Sequence, residues 1–291
     1  MRSVWLAAGL MTVAVGCQKA PHRLPDSSAR PGEVVIVSDS TGALSRWLSA
    51  PEPGLPQSEP RFDVRQSDSE ALQGHALLAR AIVVVSHKPY GVGHNLQARP
   101  QIVIEAQVKD SARILRDLMA FEADQARELL DRHSNPEMEQ RAKKQFGLRL
   151  HIPQEMRACK TAKDFLWMAT NGAEDMKNLC ILRLPPTSEA DRVEMINQVL
   201  SRQIHGETPQ MTMRLLPATI TRSDAPSQEV LTGLWEMAGD AMGGPFVASV
   251  RKTKGGDIVL LAFVYAPERK KRNIMRQLRA VVCYDNIFYG K

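Results

Sequence analysis

The chain has 291 residues, of which 43% are hydrophobic and 24% are charged, and these values are ordinary for a globular protein. Its formal charge of +6 at pH 7 is mild over this length, and basic and acidic residues are mixed along most segments. Neither the charge nor any aromatic or zinc-finger pattern argues for nucleic-acid binding, so we expect no nucleic-acid partner.

The first sixteen residues have the layout of a lipoprotein signal peptide. Arg2 supplies a positive start, residues 4–15 are apolar and uncharged, and Ala14-Val15-Gly16 precedes Cys17. The apolar run is too short to span a bilayer comfortably as a permanent helix. The small residues before Cys17 resemble a lipobox, although Ala14 stands where leucine is usual. This predicts a signal peptide at 1–16 and a diacyl lipid, such as palmitate chains, on Cys17; an ordinary signal peptide cut nearby is the alternative.

Residues 17–32 are predicted to form a flexible tether, because Pro, Ser, Arg and Lys with a single Leu cannot bury enough apolar surface to fold. No acidic cluster follows Cys17 before Asp26, and acidic residues there would resemble the surface-export signals of some outer-membrane lipoproteins. We therefore expect a lipid-anchored protein of the outer membrane that faces the periplasm. Without residues 1–16 the chain keeps 291 − 16 = 275 residues, enough for one large domain or two modest ones.

Three cysteines remain if Cys17 is acylated, namely Cys159, Cys180 and Cys283. They allow at most one intramolecular disulfide, for which Cys159 and Cys180 are the best pair, and three buried apolar thiols are the preferred alternative. No Cys-x-x-Cys or Cys/His spacing indicates a metal site, and we expect no cofactor.

Hydrophobic periodicity predicts strands and helices that alternate along the chain. Strands are predicted at 33–38, 62–66, 81–85, 101–108, 148–152, 164–170, 179–184, 211–221, 230–237, 245–252 and 258–265. Helices are predicted at 43–49, 70–78, 111–133, 136–146, 189–203 and 267–284. Asp39-Ser40-Thr41-Gly42 supplies capping groups for the first helix. The stretch between His87 and His94 is interpreted as a solvated loop.

This order indicates an α+β fold with mixed sheets and packed helices. It is compatible with two lobes, an N-terminal α+β lobe over 33–153 and a β-rich C-terminal α+β lobe over 154–291.

Several segments occur in the order seen in one known family. They are residues 53–64, 95–101, 146–153, 164–167, 233–246 (GLWEMAGDAMGGPF), 263–267 (FVYAP), 271–273 and 276–278. Together they resemble domain-of-unknown-function family 4837, a family of Bacteroidetes lipoproteins, although Gln97 stands where that family often has an aromatic residue. The resemblance covers nearly the whole mature chain. It implies a lipid-anchored envelope protein and implies no activity.

Residues 235–246 concentrate aromatic and acidic side chains around glycines. Because glycine permits close backbone approach, Trp235, Gly243 and Gly244 predict a partner-contacting loop. The alternative is a hairpin with positive φ at Gly243 or Gly244, and with Trp235 and Phe246 in the core. The acidic residues of this segment that are candidates for paired acid/base carboxylates are Glu236 and Asp240.

The last predicted helix has a basic face opposite an apolar stripe. Its candidate partner-binding residues are Arg269, Lys271, Arg272 and Arg276. Cations in a first helical turn oppose the helix dipole, which indicates an acidic partner surface. The alternative is that the apolar face packs on a sheet and the basic face is solvated.

Three functional hypotheses follow. The favoured one is a non-enzymatic lipoprotein that serves as an interaction or assembly module, held to the membrane by its lipid and bound to an envelope protein or an anionic surface. The second is a periplasmic hydrolase of cell-wall or glycan substrates that uses Glu236 and Asp240. The third is a small-ligand binding protein. The first is favoured because the sequence contains no coherent catalytic constellation.

Overall fold

The computed structural model describes residues 23–68, 72–172, 175–225 and 228–283. In this part of the chain thirteen β-strands and five α-helices form two sheets with helices packed on them, which confirms the predicted α+β class. The predicted signal peptide and Cys17 lie outside the described residues. None of the described helices is long and apolar enough to cross a membrane.

A five-stranded sheet occupies the N-terminal half. Its strands are β1 (Glu33–Val37), β2 (Asp63–Ser67), β3 (Ala81–Val85), β4 (Gly91–His94) and β5 (Ile102–Ala106), in the order β2-β1-β3-β5-β4. The first four in that order are parallel, and β4 pairs antiparallel with β5. Strands β2 and β4 are therefore the sheet edges, and the stretch interpreted as a solvated loop contains β4.

Helices α1 (Ala43–Leu48) and α2 (Ser111–Arg132) pack on one face of this sheet. Alternate strand residues such as Ile36 and Ile104 share a core with Leu118 of α2. The predicted capping of α1 is confirmed for Asp39, whose Oδ2 accepts the Ser45 N–H and the Ser45 hydroxyl, both at 2.8 Å.

A larger antiparallel sheet occupies the C-terminal half. Its strands are β6 (Ala158–Ala162), β7 (Phe165–Ala169), β8 (Met176–Leu184), β9 (Met213–Leu215), β10 (Thr221–Ala225), β11 (Gln228–Met237), β12 (Gly243–Thr253) and β13 (Gly256–Tyr265). Their order is β10-β11-β12-β13-β8-β7-β6, and β9 pairs with β11.

Helices cover both faces of the larger sheet. The core on one face includes residues of α3 (Pro136–Phe146) and α5 (Arg272–Val282), and the core on the other includes residues of α4 (Arg192–Gln203). Leu260 of β13 belongs to the first core and the adjacent Leu261 to the second, as the alternation of side chains along a strand requires.

Some elements differ from the sequence prediction. Residues 148–152 form no regular strand, although Leu148, Leu150 and Ile152 are buried in the alternating pattern that suggested one. The strand predicted over 211–221 is interrupted by a 3-10 turn that begins at Pro217, because proline removes a backbone donor.

The prediction of a flexible tether is wrong from residue 25 onward. Ser27 N–H donates to the Arg99 carbonyl at 3.1 Å, and Arg80 N–H donates to the Ser28 carbonyl at 2.9 Å. The composition argument failed because this segment is held by main-chain hydrogen bonds, which do not require apolar side chains.

Candidate functional site

The glycine-rich segment 235–246 is the turn end of the β11–β12 hairpin. Trp235 is buried, its indole N–H donates to the Val264 carbonyl at 3.1 Å, and its ring meets Phe263 edge-on at 5.0 Å between centroids. Phe246 is buried too, which confirms the alternative that placed both aromatic residues in the core. The positive φ of this turn, 79°, is at Gly239 and not at Gly243 or Gly244.

Close contacts with neighbouring main chain explain why residues 243 and 244 are glycines. A Cβ on Gly244 would lie 2.1 Å from the Val264 oxygen, and one on Gly243 would lie 2.9 Å from the Trp235 oxygen. Both glycines therefore permit the close strand packing of β11, β12 and β13. This corrects the predicted partner-contacting loop, because Trp235, Gly243 and Gly244 lie within the hydrogen-bonded sheet.

The variant Gly244→Ala is expected to lower the free energy of unfolding by about 3 kcal/mol, because its new methyl group meets main chain that cannot shift without breaking the ladder. Urea unfolding followed by circular dichroism measures this loss. Gly255→Ala is the matched control, since nothing lies within 4 Å of a Cβ there. Equal stability of the two variants would contradict the packing role of Gly244.

The candidate catalytic carboxylates have separate partners. Glu236 Oε1 accepts a hydrogen bond from Arg214 Nε at 2.7 Å across the β9–β11 pair. Asp240 Oδ1 accepts the Ala241 N–H at 2.6 Å within the turn. Glu236 therefore belongs to a cross-strand ion pair, and Asp240 belongs to a turn. Among the described residues, no group of three or more His, Cys, Asp or Glu side chains could hold a metal ion.

The first turn of α5 contacts the N-terminal half of the same chain. Glu59 is 5% exposed, and its two carboxylate oxygens accept the Lys271 N–H at 2.7 Å and the Arg272 N–H at 3.0 Å. The Lys271 side chain forms no cap of its own, so Glu59 satisfies helix donors that would otherwise lack partners. Its negative charge also complements the positive end of the helix dipole.

Basic side chains of α5 bind the same N-terminal loop, residues 52–63. Lys271 Nζ donates to Gln57 at 2.7 Å, Arg272 Nη2 to Asp63 at 2.7 Å, and Arg276 Nη2 to Glu52 at 2.8 Å. Burial raises the pKa of Asp63, but the hydrogen bond and charge of Arg272, with a smaller effect of Lys270, hold that pKa below its ordinary value.

The acidic surface that the basic helix requires is thus supplied within the chain. Lys271 and Arg272 are only 3% and 2% exposed, and Arg269 pairs with Asp175 at 3.2 Å. This corrects the prediction that Lys271 and Arg272 bind a separate partner, because their side chains are already enclosed by the junction of the two halves.

A groove of about 1130 Å³ lies between α2, the edge strand β4 and the first described residues of the chain. We call it the α2–β4 groove. Its lining includes Arg23, Leu24, Val92, His94 and Arg99. Leu24 is 37% exposed and Val92 is 41% exposed, so large aliphatic side chains of the groove face solvent.

The α2 side of the groove is acidic, and its carboxylates have hydrogen-bond partners within the chain. Its carboxylates accept hydrogen bonds from nearby side chains: Asp117 from the Tyr90 hydroxyl at 2.7 Å, Asp124 from Arg127 at 3.0 Å, and Glu128 from Arg132 at 3.0 Å. Burial, and then the hydrogen bond to Asp117, raise the pKa of Tyr90 well above its ordinary value, so its phenol stays protonated.

Sequence reasoning missed this groove. The available signal was weak: Val92 and Leu96 are isolated aliphatic residues in a stretch rich in glycine and polar residues. Val92 lines the groove, whereas Leu96, which is 55% exposed, lies on the other face of β4, where a Cβ on Gly93 would be 2.9 Å from Leu96 Cδ1. Exposed aliphatic side chains grouped beside a groove are typical of binding surfaces.

Comparison with known proteins gives family matches and weak structural similarities. The sequence profile described as Domain of unknown function (DUF4837) matches residues 135–283, and that described as Domain of unknown function (DUF8532) matches residues 27–143. No curated protein matches the sequence significantly.

Two solved structures are similar to parts of the chain. CalU16 from Micromonospora echinospora is 14% identical over 38% of this chain and 73% of its own, with a TM-score of 0.18. The human StarD13 (DLC2) lipid transfer and protein localization domain is 10% identical over 50% of this chain and 95% of its own, with a TM-score of 0.19. Such low TM-scores carry no argument about fold or function.

Proposed function

The chain belongs to the domain-of-unknown-function family DUF4837, and we propose that it is a lipid-anchored lipoprotein of the outer membrane, facing the periplasm, which serves as a non-enzymatic interaction module. The lipid is attached to Cys17, and the α2–β4 groove is the interaction site. The location of that groove carries the proposal. Arg23 and Leu24, which line it, come six and seven residues after Cys17.

This short separation limits how far the groove lies from an acylated Cys17. Six residues span at most roughly 20 Å even when fully extended. The segment that follows is fixed by the hydrogen bonds of Ser27 and Ser28 beside the first sheet. An acylated Cys17 therefore holds the α2–β4 groove close to the membrane surface.

The chemistry of the two candidate regions favours binding over catalysis. The α2–β4 groove combines exposed aliphatic residues with polar walls, a composition suited to holding a partner. The alternative hydrolase would rely on Glu236 and Asp240, which form an ion pair with Arg214 and a turn contact instead.

The proposal is tested by comparing the native chain with Cys17→Ser in a related host, by intact mass and membrane fractionation. The native chain is expected to carry a diacyl mass increment and to stay with the outer membrane, and Cys17→Ser is expected to lose both. An unmodified native chain in the soluble fraction would refute the lipoprotein proposal and would make a soluble enzyme the leading hypothesis.

A further inference from the structure

We infer that the rim of the α2–β4 groove, formed by Leu24 and Val92, docks on the phospholipid surface of the membrane that carries the anchor. The inference rests on the proposed acylation of Cys17 and names the partner of the groove. Docking would give the protein a second, reversible membrane contact and would fix its orientation on the bilayer.

Chain length supports this orientation. The link from Cys17 to Arg23 reaches at most roughly 20 Å. A folded chain of this size has a radius of gyration of about 19 Å, and hence a diameter of roughly 50 Å. An anchor this short cannot reach around the molecule to place the opposite side against the bilayer. The surface near Arg23 is therefore the one that meets the membrane.

The exposed side chains on this surface suit a lipid interface. Leu24 and Val92 are 37% and 41% exposed, and burying their apolar area in the interface is favourable. Arg23 and Arg99 also line the groove, and guanidinium groups bind lipid phosphates well. Asp26 is an acidic neighbour in the same lining, so the surface is amphipathic and not uniformly basic.

The acidic groups on the α2 side of the groove do not oppose docking strongly. Each is paired with an arginine of α2: Asp117 with Arg116 at 3.1 Å, Asp124 with Arg127 at 3.0 Å and Glu128 with Arg132 at 3.0 Å. Their charges are therefore offset locally, and repulsion between them and anionic headgroups is weakened.

The test uses the acylated full-length chain bound to vesicles of phosphatidylethanolamine and phosphatidylglycerol with brominated acyl chains, which quench tryptophans that enter the lipid. Val92→Trp places a reporter on the rim. The unsubstituted chain is the matched control: its exposed Trp47 lies on α1, which contacts β2 at the opposite edge of the sheet. Trp167 and Trp235 pack in a hydrophobic core of the larger sheet.

We expect Val92→Trp to lose fluorescence in brominated vesicles relative to unbrominated ones, while the unsubstituted chain changes little. Absence of this difference in an acylated, vesicle-bound variant would overturn the docking but leave the anchor intact. A chain without the diacyl mass that also fails to bind vesicles would overturn the proposed function itself. Quenching that is equal in the two chains would show that the rim is not the docking surface.

Two checks keep the outcome interpretable. Leu24→Trp is a second reporter on the same rim, to be used if the melting temperature shows that Val92→Trp is misfolded. A Val92→Trp emission shift that depends on protein concentration in the absence of vesicles would assign the rim to a second copy of the chain and would contradict lipid docking.

Discussion

Replacing Glu59 by glutamine is expected to lower the free energy of unfolding by about 3 kcal/mol. The carboxylate is buried and accepts the N–H groups of Lys271, the N-cap residue, and of Arg272, the first residue of α5, and its charge faces the enclosed side chains of both. Glutamine has one acceptor oxygen, so its amide NH₂ would be directed at a helix donor while two buried cations lose a counter-charge. Urea denaturation followed by far-ultraviolet circular dichroism measures the loss.

Glu189→Gln is the matched control for this prediction. It makes the same chemical change in an ion pair with Lys252 at 3.7 Å, in which both side chains are about 70% exposed. An exposed pair of this kind contributes less than about 1 kcal/mol. If the two glutamine variants were equally stable, Glu59 would not be the cap of α5.

The junction around Glu59 also joins the two sheets into one molecule. The DUF8532 profile ends at residue 143 and the DUF4837 profile begins at residue 135, so the two matches divide the chain near α3. Helix α2 from the first region nevertheless packs on α5 from the second. We therefore expect Glu59→Gln to destabilise both sheets together and not one half alone.

The sequence analysis identified the strands whose burial can be inferred from their own pattern of apolar residues. Runs such as 33–37 and 81–85 are β-branched and apolar because both faces of a parallel strand are covered. The missed strands β4 and β6 contain glycines or polar residues and lie at sheet edges. They are defined by pairing with a neighbour, which local composition does not encode.

In the candidate site, too, features that depend on neighbouring residues could be predicted, and contacts between residues far apart in the sequence could not. Helix-dipole reasoning on the basic first turn of α5 correctly required an acidic partner. It could not identify Glu59, which lies 212 residues earlier in the chain than Lys271. Conversely, the glycines at 243 and 244 drew attention as a loop, because sequence alone does not reveal that Val264 main chain fills the space beside them.

The variant Arg192→Met is expected to cause the largest single loss, about 4 kcal/mol of unfolding free energy. Arg192 is fully buried at the start of α4, pairs with Glu229, and donates to Asp257 at 3.3 Å and to the Thr187 carbonyl at 3.3 Å. Methionine fills a similar volume but leaves two carboxylates, 13% and 6% exposed, without this cation. Urea unfolding again provides the measurement.

Arg222→Met separates loss of a buried charge from loss of any arginine near Glu229. Arg222 also pairs with Glu229, at 2.6 Å, but its side chain is 40% exposed, so its removal is expected to cost less than about 1 kcal/mol. The double variant Arg192→Met, Asp257→Asn should lose less stability than the sum of its two single variants, because removing the anion relieves the unpaired charge left by Arg192→Met. Strict additivity would mean that the contact between Arg192 and Asp257 contributes nothing to the stability of the fold.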